Sequence, residues 1–199
     1  MYVVLPLPAF VAAFALPDSH GTTTLRTMRA TDADAFASYR RDPELARFQG
    51  WLPIDLDQAR AFVTGMSHVT QCVPGDWVQL AIADATSDAM VGDLGLWLDA
   101  DASSVEIGFT VARPHQRQGH AARAVALALR QAFRWPSVAE ARGVTDARNA
   151  ASIAVLESAG FTRTDERRVE FKGEWCTEYL YVRTRDTSSP GEPTSPKGK

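Results

Sequence analysis

Residues 106–121, with the sequence EIGFTVARPHQRQGHA, decide the fold because they join a strand to a helix through a short polar loop. Apolar side chains alternate with polar or small ones over residues 105–111, which predicts a strand that ends before Pro114. An apolar stripe at helical spacing over residues 120–134 predicts the helix. The loop therefore leads to a helix N-terminus, where unpaired N–H groups and the helix dipole attract anions.

This loop has the features of a phosphate cradle. Gly119 and Ala121 carry little or no side chain, so an anion can approach the main chain closely. Arg113 and Arg117 can add positive charge at the rim. The sequence has neither GKS/GKT nor GxGxxG, which excludes a P-loop and a dinucleotide fingerprint. For the loop alone, a polar connection capped by a helix is an equally good interpretation.

Two further features favour a ligand site. Glu106, Gly108 and Thr110 leave one face of the strand nearly bare, as expected where something lies against it. Thirty residues after Gly119, the segment 149–161 reads NAASIAVLESAGF. This segment predicts a second strand-to-helix junction with polar groups at the start of its helix.

Together these residues resemble the GNAT superfamily of N-acetyltransferases, and within it the RimJ/RimL-like group of ribosomal-protein-alanine acetyltransferases. The family's acetyl-CoA loop has the pattern Gln/Arg-x-x-Gly-x-Gly/Ala, and a later element has the pattern Asn-x-x-Ser followed by Gly-Phe. Either pattern alone has low specificity, whereas their order, spacing and placement together are specific. The resemblance covers residues 23–184. The matching residues are Gln116, Gly119, Ala121, Asn149, Ser152, Gly160 and Phe161.

The resemblance implies an α+β fold, the GNAT-like acyl-CoA N-acyltransferase fold, with a central mixed, largely antiparallel sheet flanked by helices. It also implies acetyl-CoA as cofactor, with residues 116–121 binding the CoA pyrophosphate through backbone N–H groups. Residues 109–111 should pair with the pantetheine arm, and a backbone N–H there should stabilise the thioester oxyanion. Asn149 should contact the cofactor arm or tie the split strands together. The implied cofactor-binding residues are Phe109, Thr110, Val111, Arg113, Gln116, Arg117, Gln118, Gly119, His120, Ala121, Asn149 and Ser152.

Acetylation of an amine needs a base for its proton and a group that stabilises the leaving thiolate. Glu106 is the first candidate base, and a surface or ion-paired carboxylate is an equally good interpretation. Glu170 is the second candidate, because the RimL-like group has a proposed glutamate in this region, but pairing with nearby cross-strand charges is favoured. Many family members protonate the thiolate with a tyrosine where this chain has Leu156 and Glu157. Ser152 fits the RimL-like alternative as a donor to the sulfur, and equally fits a plain helix-start serine.

Two tryptophans are candidates for the substrate groove. Trp51 follows the first predicted helix and Trp175 lies in the closing hairpin, so both would flank a groove in this architecture. An isolated tryptophan is more often part of a core. Asp93 and Trp97 share the less apolar face of their strand and could line the same groove.

Histidine and cysteine positions predict no metal site. Cys72 and Cys176 form no CxxC, and His68 and His115 have no ligand spacing. We expect both thiols to be reduced. His120 stands where the family usually has an apolar residue; we expect it to face solvent, with a proton shuttle as the alternative.

The composition is that of one globular domain. Of the 199 residues 45% are hydrophobic, and 21 Lys and Arg against 24 Asp and Glu give a net charge of −3. Because a nucleic-acid-binding domain concentrates basic residues, we expect no nucleic-acid partner. The apolar residues 1–16 are too short for a bilayer, which needs ~20 apolar residues, and no basic residue precedes them as in an export signal. We therefore expect a cytoplasmic protein with no membrane partner.

The sequence divides into three parts. We expect residues 1–21 to be an apolar extension that is buried or covered by a partner, in preference to an export signal, and residues 22–184 to be the acetyltransferase domain that the resemblance implies. Residues 185–199 lack aliphatic side chains, which predicts a disordered tail.

Working outward from the central loop, periodicity and turn residues predict the remaining elements of the domain. These are a strand at 24–28, a helix capped by Thr31, a helix capped by Asp55, two meander strands around 78–82 and 94–98, a strand at 144–147, a helix at 149–159 and a hairpin over 169–182 that turns at Lys172 and Gly173.

These features predict an acetyl-CoA-dependent N-acetyltransferase that transfers acetyl to a primary amine by direct transfer in a ternary complex. The acceptor is a protein N-terminus or a small molecule, and a homodimer is left open. The alternatives are a non-catalytic acyl-CoA-binding or regulatory domain and an aminoglycoside-type antibiotic acetyltransferase. The missing tyrosine favours the first alternative, and an acidic groove would favour the second.

Overall fold

The computed structural model describes residues 12–186. In this range the strands are β1 (Ala12–Ala13), β2 (Asp18–His20), β3 (Thr23–Arg26), β4 (Gln71–Cys72), β5 (Trp77–Asp84), β6 (Met90–Leu98), β7 (Ser104–Val111), β8 (Glu140–Asp146), β9 (Thr162–Phe171) and β10 (Glu174–Thr184). The helices are α1 (Ala33–Arg40), α2 (Pro43–Ala46), α3 (Leu56–Met66), α4 (His120–Ala132) and α5 (Ala150–Ser158).

Eight strands form the central sheet, in the order β2-β3-β5-β6-β7-β8-β10-β9, while β1 and β4 form a separate pair. Neighbouring strands of the central sheet are antiparallel except β7 and β8, which run parallel. The predicted α+β fold with a mixed, largely antiparallel sheet is confirmed.

The parallel pair of strands separates after a short contact. Residues 104–106 of β7 pair with residues 140–142 of β8, and the rest of β7 does not pair with β8. One edge of residues 107–111 is therefore left without a strand partner. This split in the sheet positions the site described below.

The antiparallel meander β5-β6-β7 buries one face against α4. Its period-two apolar residues, including Leu80 and Leu94, are fully buried together with Val125 and Ala128 of α4. Burial of one such side chain contributes ~1.5–3 kcal/mol. A slip of one residue would move the whole apolar set to the other face, so this pattern fixes the strand register.

The opposite face of the sheet is covered at one end by α1 and α3. Phe36, Ala59 and Val63 from these helices pack with Ala81 of β5 in a second, smaller core. Asp55 caps α3 as predicted, since its carboxylate accepts a hydrogen bond from Gln58 N–H at 2.8 Å. The rest of this face stays open and forms the floor of a cavity.

Several boundaries differ from the sequence expectations. Asp32, and not Thr31, bonds the backbone ahead of the first helix, because its carboxylate accepts from Arg29 N–H at 2.8 Å. The predicted strand at 144–147 begins earlier, at Glu140, and the closing hairpin begins earlier, at Thr162. Most of β9 is exposed on the outer edge of the sheet. An exposed edge strand lacks the apolar alternation that reveals a strand in sequence.

Both ends of the described chain pack on the domain. Within the predicted extension, Trp135 Nε1–H donates to Ala13 O at 3.1 Å and Ala15 N–H donates to Gln131 at 2.9 Å. Arg185, at the start of the predicted tail, donates its backbone N–H to Ala139 O at 2.8 Å. The rest of both predicted segments, residues 1–11 and 187–199, lies outside the described residues. No helix in residues 12–186 is long and apolar enough to cross a membrane.

Candidate active site

Two cavities open on either side of the unpaired edge of β7. The loop cavity, of about 400 Å³, is bounded by the end of β7, the loop before α4 and the start of α5. The sheet cavity, of about 450 Å³, lies over the open face of the sheet and the gap between β7 and β8. Phe48, Gln49, Phe109 and Thr110 line both cavities. Two ligands could therefore meet at this point.

The loop before α4 presents free backbone donors to the loop cavity. The first intrahelical bond of α4 runs from Arg123 N–H to Gly119 O at 3.1 Å, so the preceding N–H groups have no partner within the helix. Ala121 and Ala122 line the cavity without side chains that could block it. Gly119 has a φ of +79°, a left-handed conformation that glycine adopts without strain. This arrangement is suited to bind an anion at the helix N-terminus.

Side chains hold this loop in place from both sides. Gln116 Nε2–H donates to Val111 O at 2.9 Å, which joins the loop to the end of β7. Arg123 donates to Gln118 O at 2.6 Å and to Thr23 Oγ1 at 2.9 Å. The cradle is thereby tied to β3 as well as to its own helix.

The open edge of β7 also carries backbone donors. Ala112 N–H donates to Val91 O on the β6 side, whereas the oxygens of Phe109 and Val111 accept from Gln49 and Gln116 on the other side. Because alternate residues of a strand direct their N–H and C=O groups to the same side, the N–H groups of Phe109 and Val111 face the gap. Phe109 lies where the loop cavity meets the sheet cavity, and Val111 lines the loop cavity.

The floor of the sheet cavity is built on two glycines. Gly95 and Gly108 pair across β6 and β7, so this part of the sheet carries no side chains. Trp77 and Gln79 from β5 lie across it: a Cβ added at Gly95 would come within 2.8 Å of Gln79 Nε2 and 3.1 Å of the Trp77 ring. The bare strand face noted in the sequence thus makes room for these side chains and for the cavity above them.

A buried ion pair lies in the wall of the sheet cavity. Asp93, only 2% exposed, accepts hydrogen bonds from Arg40 Nη2 at 2.6 Å and from the Tyr39 hydroxyl at 2.7 Å. Burial raises the pKa of Asp93, and the adjacent Arg40 opposes that rise. The ring of Trp51 lies 4.4 Å from the Arg40 guanidinium, which is a cation–π distance. Asp93 and Trp51, both predicted to line a substrate groove, therefore line the sheet cavity. The Asp93 carboxylate is occupied by its hydrogen bonds to Arg40 and Tyr39.

Glu106 differs from the other carboxylates of the sheet cavity. Asp146 pairs with Arg148 at 2.6 Å and Glu178 pairs with Arg167 at 2.9 Å. The Glu106 carboxylate has no hydrogen-bond or ion-pair partner among the described residues. Burial raises its pKa, Arg167 opposes this and the charge of Glu178 adds to it. A half-buried carboxylate without a partner, at the edge of the strand gap, is suited to accept a proton.

The comparison with protein families decides the identity of this fold. Residues 22–162 match the acetyltransferase (GNAT) domain family. This chain is a GNAT acetyltransferase. It is therefore an enzyme that uses acetyl-CoA as cosubstrate, as the family resemblance implied. No curated protein sequence matches the acetyltransferase at a significant level.

Solved structures share its fold at low sequence identity. A RimL ribosomal L7/L12 α-N-protein acetyltransferase in complex with CoA has 18% identity and a TM-score of 0.72, over 85% of this chain and 98% of that one. Mycobacterium smegmatis RimJ, with CoA-disulfide, has 22% identity and a TM-score of 0.69, over 88% and 90%. Vibrio cholerae spermidine N-acetyltransferase, with CoA and spermine, has 16% identity and a TM-score of 0.70, over 83% and 96%. The RimJ/RimL-like resemblance thus agrees with the fold of these neighbours.

The expectation that His120 faces solvent is wrong. The residue is 3% exposed, and its Nδ1 lies 2.9 Å from Thr23 Oγ1 on β3. Burial lowers the pKa of His120, and the positive charge of Arg123 lowers it further. Both effects favour the uncharged form of the imidazole at the first residue of α4.

Of the two arginines expected at the rim, only Arg117 lines the loop cavity. Arg113 is paired instead with Asp42, whose carboxylate accepts from Arg113 Nη2 at 3.1 Å and also caps α2. The Gln118 amide donates to Pro114 O at 3.0 Å, so this side chain braces the loop. Arg113 and Gln118 therefore make contacts that hold the loop in place, but neither residue lines the loop cavity.

Sequence reasoning missed the wall opposite the cradle. Glu44, Leu45, Phe48 and Gln49 line the loop cavity from α2 and the segment after it. The signal for α2 was present as an Asp followed by Pro at the first helical position, which favours a helix start. The helix has only four residues, too few for an apolar period.

The start of α5 brings two predicted residues to the loop cavity. Asn149 caps the helix, and its Oδ1 accepts from Ser152 N–H at 3.1 Å. Both side chains line the cavity. Asn149 therefore orders the turn that presents the Ser152 hydroxyl.

Glu170 and Trp175 lie away from both cavities, which corrects their expected places at the site. They are opposite each other in the β9–β10 ladder, and Trp175 is 62% exposed. Because side chains alternate across a strand, their neighbours Phe171 and Cys176 face the sheet cavity while Glu170 and Trp175 face away from it. The sequence shows that side chains alternate between the two faces of these strands, but it does not show which face lies toward the site.

Proposed function

We propose that the acetyltransferase transfers an acetyl group directly from acetyl-CoA to a primary amine while both are bound. The observation that carries this proposal is the meeting of the loop cavity and the sheet cavity at Phe109 and Thr110. A thioester reaching this point from one side and an amine from the other would come into contact without a covalent enzyme intermediate.

The residues of the loop cavity fit the cosubstrate. The free N–H groups at the start of α4 and the charge of Arg117 suit a pyrophosphate, because a helix N-terminus attracts anions. The open edge of residues 109–111 offers N–H and C=O groups to an extended pantetheine arm. Gln49 and Gln116 now bond two of these oxygens, so their amides exchange partners when the arm binds. Acetyl-CoA supplies an activated thioester for acyl transfer.

The chain's own groups would promote the transfer at three atoms. A backbone N–H of Phe109 or Val111 stabilises negative charge on the acyl oxygen, a contribution of about 3 kcal/mol for one well-placed donor. Glu106 accepts the proton of the attacking amine, directly or through water. The Ser152 hydroxyl donates a hydrogen bond to the leaving sulfur.

The sheet cavity suits a cationic amine flanked by an apolar group. Its carboxylates outnumber its cationic side chains, and its walls include the rings of Phe48, Trp51, Phe62 and Trp77. Aromatic faces and carboxylates both stabilise an ammonium group. The fold neighbours include a spermidine acetyltransferase with spermine bound and a protein α-N-acetyltransferase, so amines of both sizes are candidates.

The test measures cosubstrate binding and turnover separately. Calorimetry with acetyl-CoA should show binding, and thiol release over a panel of small amines and peptides should identify acceptors. Gly119→Glu, which places a carboxylate in the cradle, should abolish acetyl-CoA binding while retaining the fold by circular dichroism. Binding of acetyl-CoA without turnover of any amine would instead support a non-catalytic acyl-CoA-binding domain. Unchanged affinity in Gly119→Glu would refute the cradle.

A further inference from the structure

Two exposed aromatic side chains lie in the wall of the sheet cavity. Phe62 is 36% exposed and Trp77 is 45% exposed, and both line this cavity. The other large hydrophobic side chains that are exposed in residues 12–186 are Leu52, Val73 and Trp175, and they line neither cavity. Exposed apolar surface that is gathered in a cavity indicates a ligand that covers it.

Each of the two rings rests on other parts of the protein. A Cβ added at Gly95 would lie 3.1 Å from Cε3 of Trp77, and one added at Gly108 would lie 4.0 Å from Cζ3 of the same ring. The indole therefore reaches from β5 across β6 to β7. Phe62 stacks on Phe36, with ring centroids 5.2 Å apart and an angle of 3° between the ring planes. Both rings are thus supported from one side and keep accessible surface for a ligand.

The Trp77 ring lies beside the point where the two cavities meet. Gly108, which the ring reaches, immediately precedes Phe109, whose N–H group faces the gap between β7 and β8. Consecutive residues of a strand are ~3.3 Å apart along the strand, a distance that a linker of about two carbon atoms covers. An amine that reacts at Phe109 can therefore carry a ring on a short linker, and that ring would lie against Trp77.

The charges of the sheet cavity suit an acceptor that has one amine and no other charge. Asp93, Asp146 and Glu178 are each paired with an arginine. Glu106 is the carboxylate of this cavity that has no such partner within residues 12–186. A second ammonium of the acceptor would therefore find no unpaired carboxylate, and an acceptor carboxylate would be repelled by Glu106. The part of the acceptor that lies on Trp77 is then uncharged.

We propose that Trp77 determines acceptor specificity by stacking on an aromatic ring of the acceptor, which makes arylalkylamines with a single amine the preferred class. Aromatic pairs gain stability beyond that of the area they bury. An aromatic group on this surface therefore binds more tightly than an aliphatic group of similar size. This inference rests on the proposed function and adds the chemical class of the acceptor.

The test compares two acceptors with the full-length enzyme and saturating acetyl-CoA. Phenethylamine and 2-cyclohexylethylamine have the same linker and the same number of carbon atoms, but only the first has an aromatic ring. The ratio of their kcat/KM values is compared between the wild type and Trp77→Leu, because the different basicities of the two amines cancel in that comparison. We expect Trp77→Leu to lower the ratio about fivefold, which is within the range of aromatic pairs. An unchanged ratio would overturn the proposal.

Matched variants separate stacking from a structural role. Trp77→Phe retains a ring and should keep most of the ratio. Trp175→Leu removes a tryptophan that is 62% exposed and lies away from both cavities, so its kcat and its ratio should equal those of the wild type. If Trp77→Leu does not fold, Gly95→Ala makes the same test, because its Cβ would displace the Trp77 ring and should lower the ratio. An equal loss of activity for both acceptors would show a merely structural role and overturn the proposal.

The requirement for a single charge has its own test. Spermidine carries additional ammonium groups, and phenylalanine adds a carboxylate to the phenethylamine skeleton. We expect kcat/KM for phenethylamine to exceed that for each of them by at least about tenfold, since neither additional charge has an unpaired partner in the cavity. A value for spermidine or phenylalanine that equals or exceeds that for phenethylamine would contradict the proposed class.

Failure of the proposed function can be distinguished from failure of this inference. If acetyl-CoA binds but no amine is acetylated, the proposed function is refuted, and calorimetry of the CoA-loaded protein still tests Trp77. The wild type should then bind phenethylamine more tightly than 2-cyclohexylethylamine, and Trp77→Leu should remove the difference. Equal affinities in the wild type, or no binding of phenethylamine, would overturn the inference. Thermal melting and acetyl-CoA affinity show which variants are folded.

Discussion

At the scale of single residues, the ion-pair partners of the carboxylates distinguish a candidate base from carboxylates with a structural role. Asp93, Asp146 and Glu178 line the sheet cavity beside Glu106, but each is held by an arginine. A carboxylate bonded to arginine is poorly placed to take up the proton of an amine, because protonation would break the pair and leave the arginine charge unpaired. Glu106 is free of such a pair within the described chain. This makes it the base to test first.

Glu106→Gln should lower kcat by about a hundredfold or more, the contribution of a general base, with little change in acetyl-CoA affinity. Because burial raises the pKa of Glu106, the wild-type rate should rise with pH as this carboxyl ionises, starting at a higher pH than for an exposed glutamate. The variant should lose that rise. Thiol release measured between pH 5 and 9 gives both results.

Glu170→Gln is the matched control, since Glu170 is exposed on the opposite face of the hairpin. Its kcat and pH profile should equal those of the wild type. The base assignment fails if the two variants behave alike.

The same raised pKa predicts an effect on stability with a definite sign. Glu106 keeps its proton to a higher pH in the folded state than in the unfolded chain, where its pKa is about 4.3. The free energy of unfolding therefore decreases as the pH rises from the unfolded pKa through the folded pKa. Glu106→Gln should therefore raise the Tm at pH 7 and change it little at pH 4. Calorimetric melts at both pH values measure this, and an equal shift at both would contradict it.

At the scale of elements, the junction of loop and α4 depends on the backbone of Gly119. Gly119→Ala should weaken acetyl-CoA binding about tenfold or more, because the new Cβ would lie 2.7 Å from Arg123 Nη1 and displace the side chain that ties the cradle. The positive φ adds ~1–2 kcal/mol of strain for any non-glycine residue. Calorimetry with acetyl-CoA gives the affinity, and melting gives the strain.

Gly173→Ala separates backbone strain from the role of the cradle. Gly173 has a φ of +81°, close to the +79° of Gly119, and nothing would contact its Cβ. Both variants carry the backbone strain of a positive φ, whereas only Gly119→Ala also displaces Arg123. Gly119→Ala should therefore lose more stability than Gly173→Ala, and it alone should bind acetyl-CoA weakly. Equal affinity in the two variants would show that the loop does not hold the cosubstrate.

The elements that sequence could predict are those with a buried face. The meander and α4 bury one side, so periods of two and 3.6 residues appear in their sequence. The α2 helix is a single turn, and β9 is an exposed edge, so neither carries a period. The loop before α4 could be proposed as the cofactor side from sequence, because its strand end, its glycine and its helix start are contiguous in the chain. The acceptor side could not be predicted, because Trp51, Phe62 and Trp77 line one cavity only when distant segments of the chain pack on the sheet.

At the scale of the whole molecule, the split between β7 and β8 defines how the two halves of the reaction meet. The strands pair over three residues and then separate, which opens the gap that both cavities reach. Gly143 of β8 packs against Leu156 of α5, where a Cβ would lie 2.7 Å from the leucine side chain. The far side of the gap is thus fixed by α5, and the near side by the meander core. A rigid cleft of this kind favours preorganised binding over closure around a single ligand.

This architecture predicts a sequential kinetic mechanism. Because the two cavities open to separate sides and share Phe109 and Thr110, acetyl-CoA and the amine can occupy them together. Initial rates at varied amine and several fixed acetyl-CoA concentrations should give intersecting double-reciprocal lines, and intact-mass spectrometry with acetyl-CoA alone should show no acetylated enzyme.

Cys176→Ala is an informative control, because the thiol of Cys176 lies in the sheet cavity and is the nucleophile that a covalent route would use. The variant should retain the intersecting pattern. Burial and the charge of Asp146 raise the pKa of that thiol, which keeps it in the unreactive protonated form. Direct transfer would be wrong if the wild type gave parallel lines and became acetylated by acetyl-CoA alone, and if Cys176→Ala lost the parallel pattern. Those results would indicate a two-step route through this cysteine.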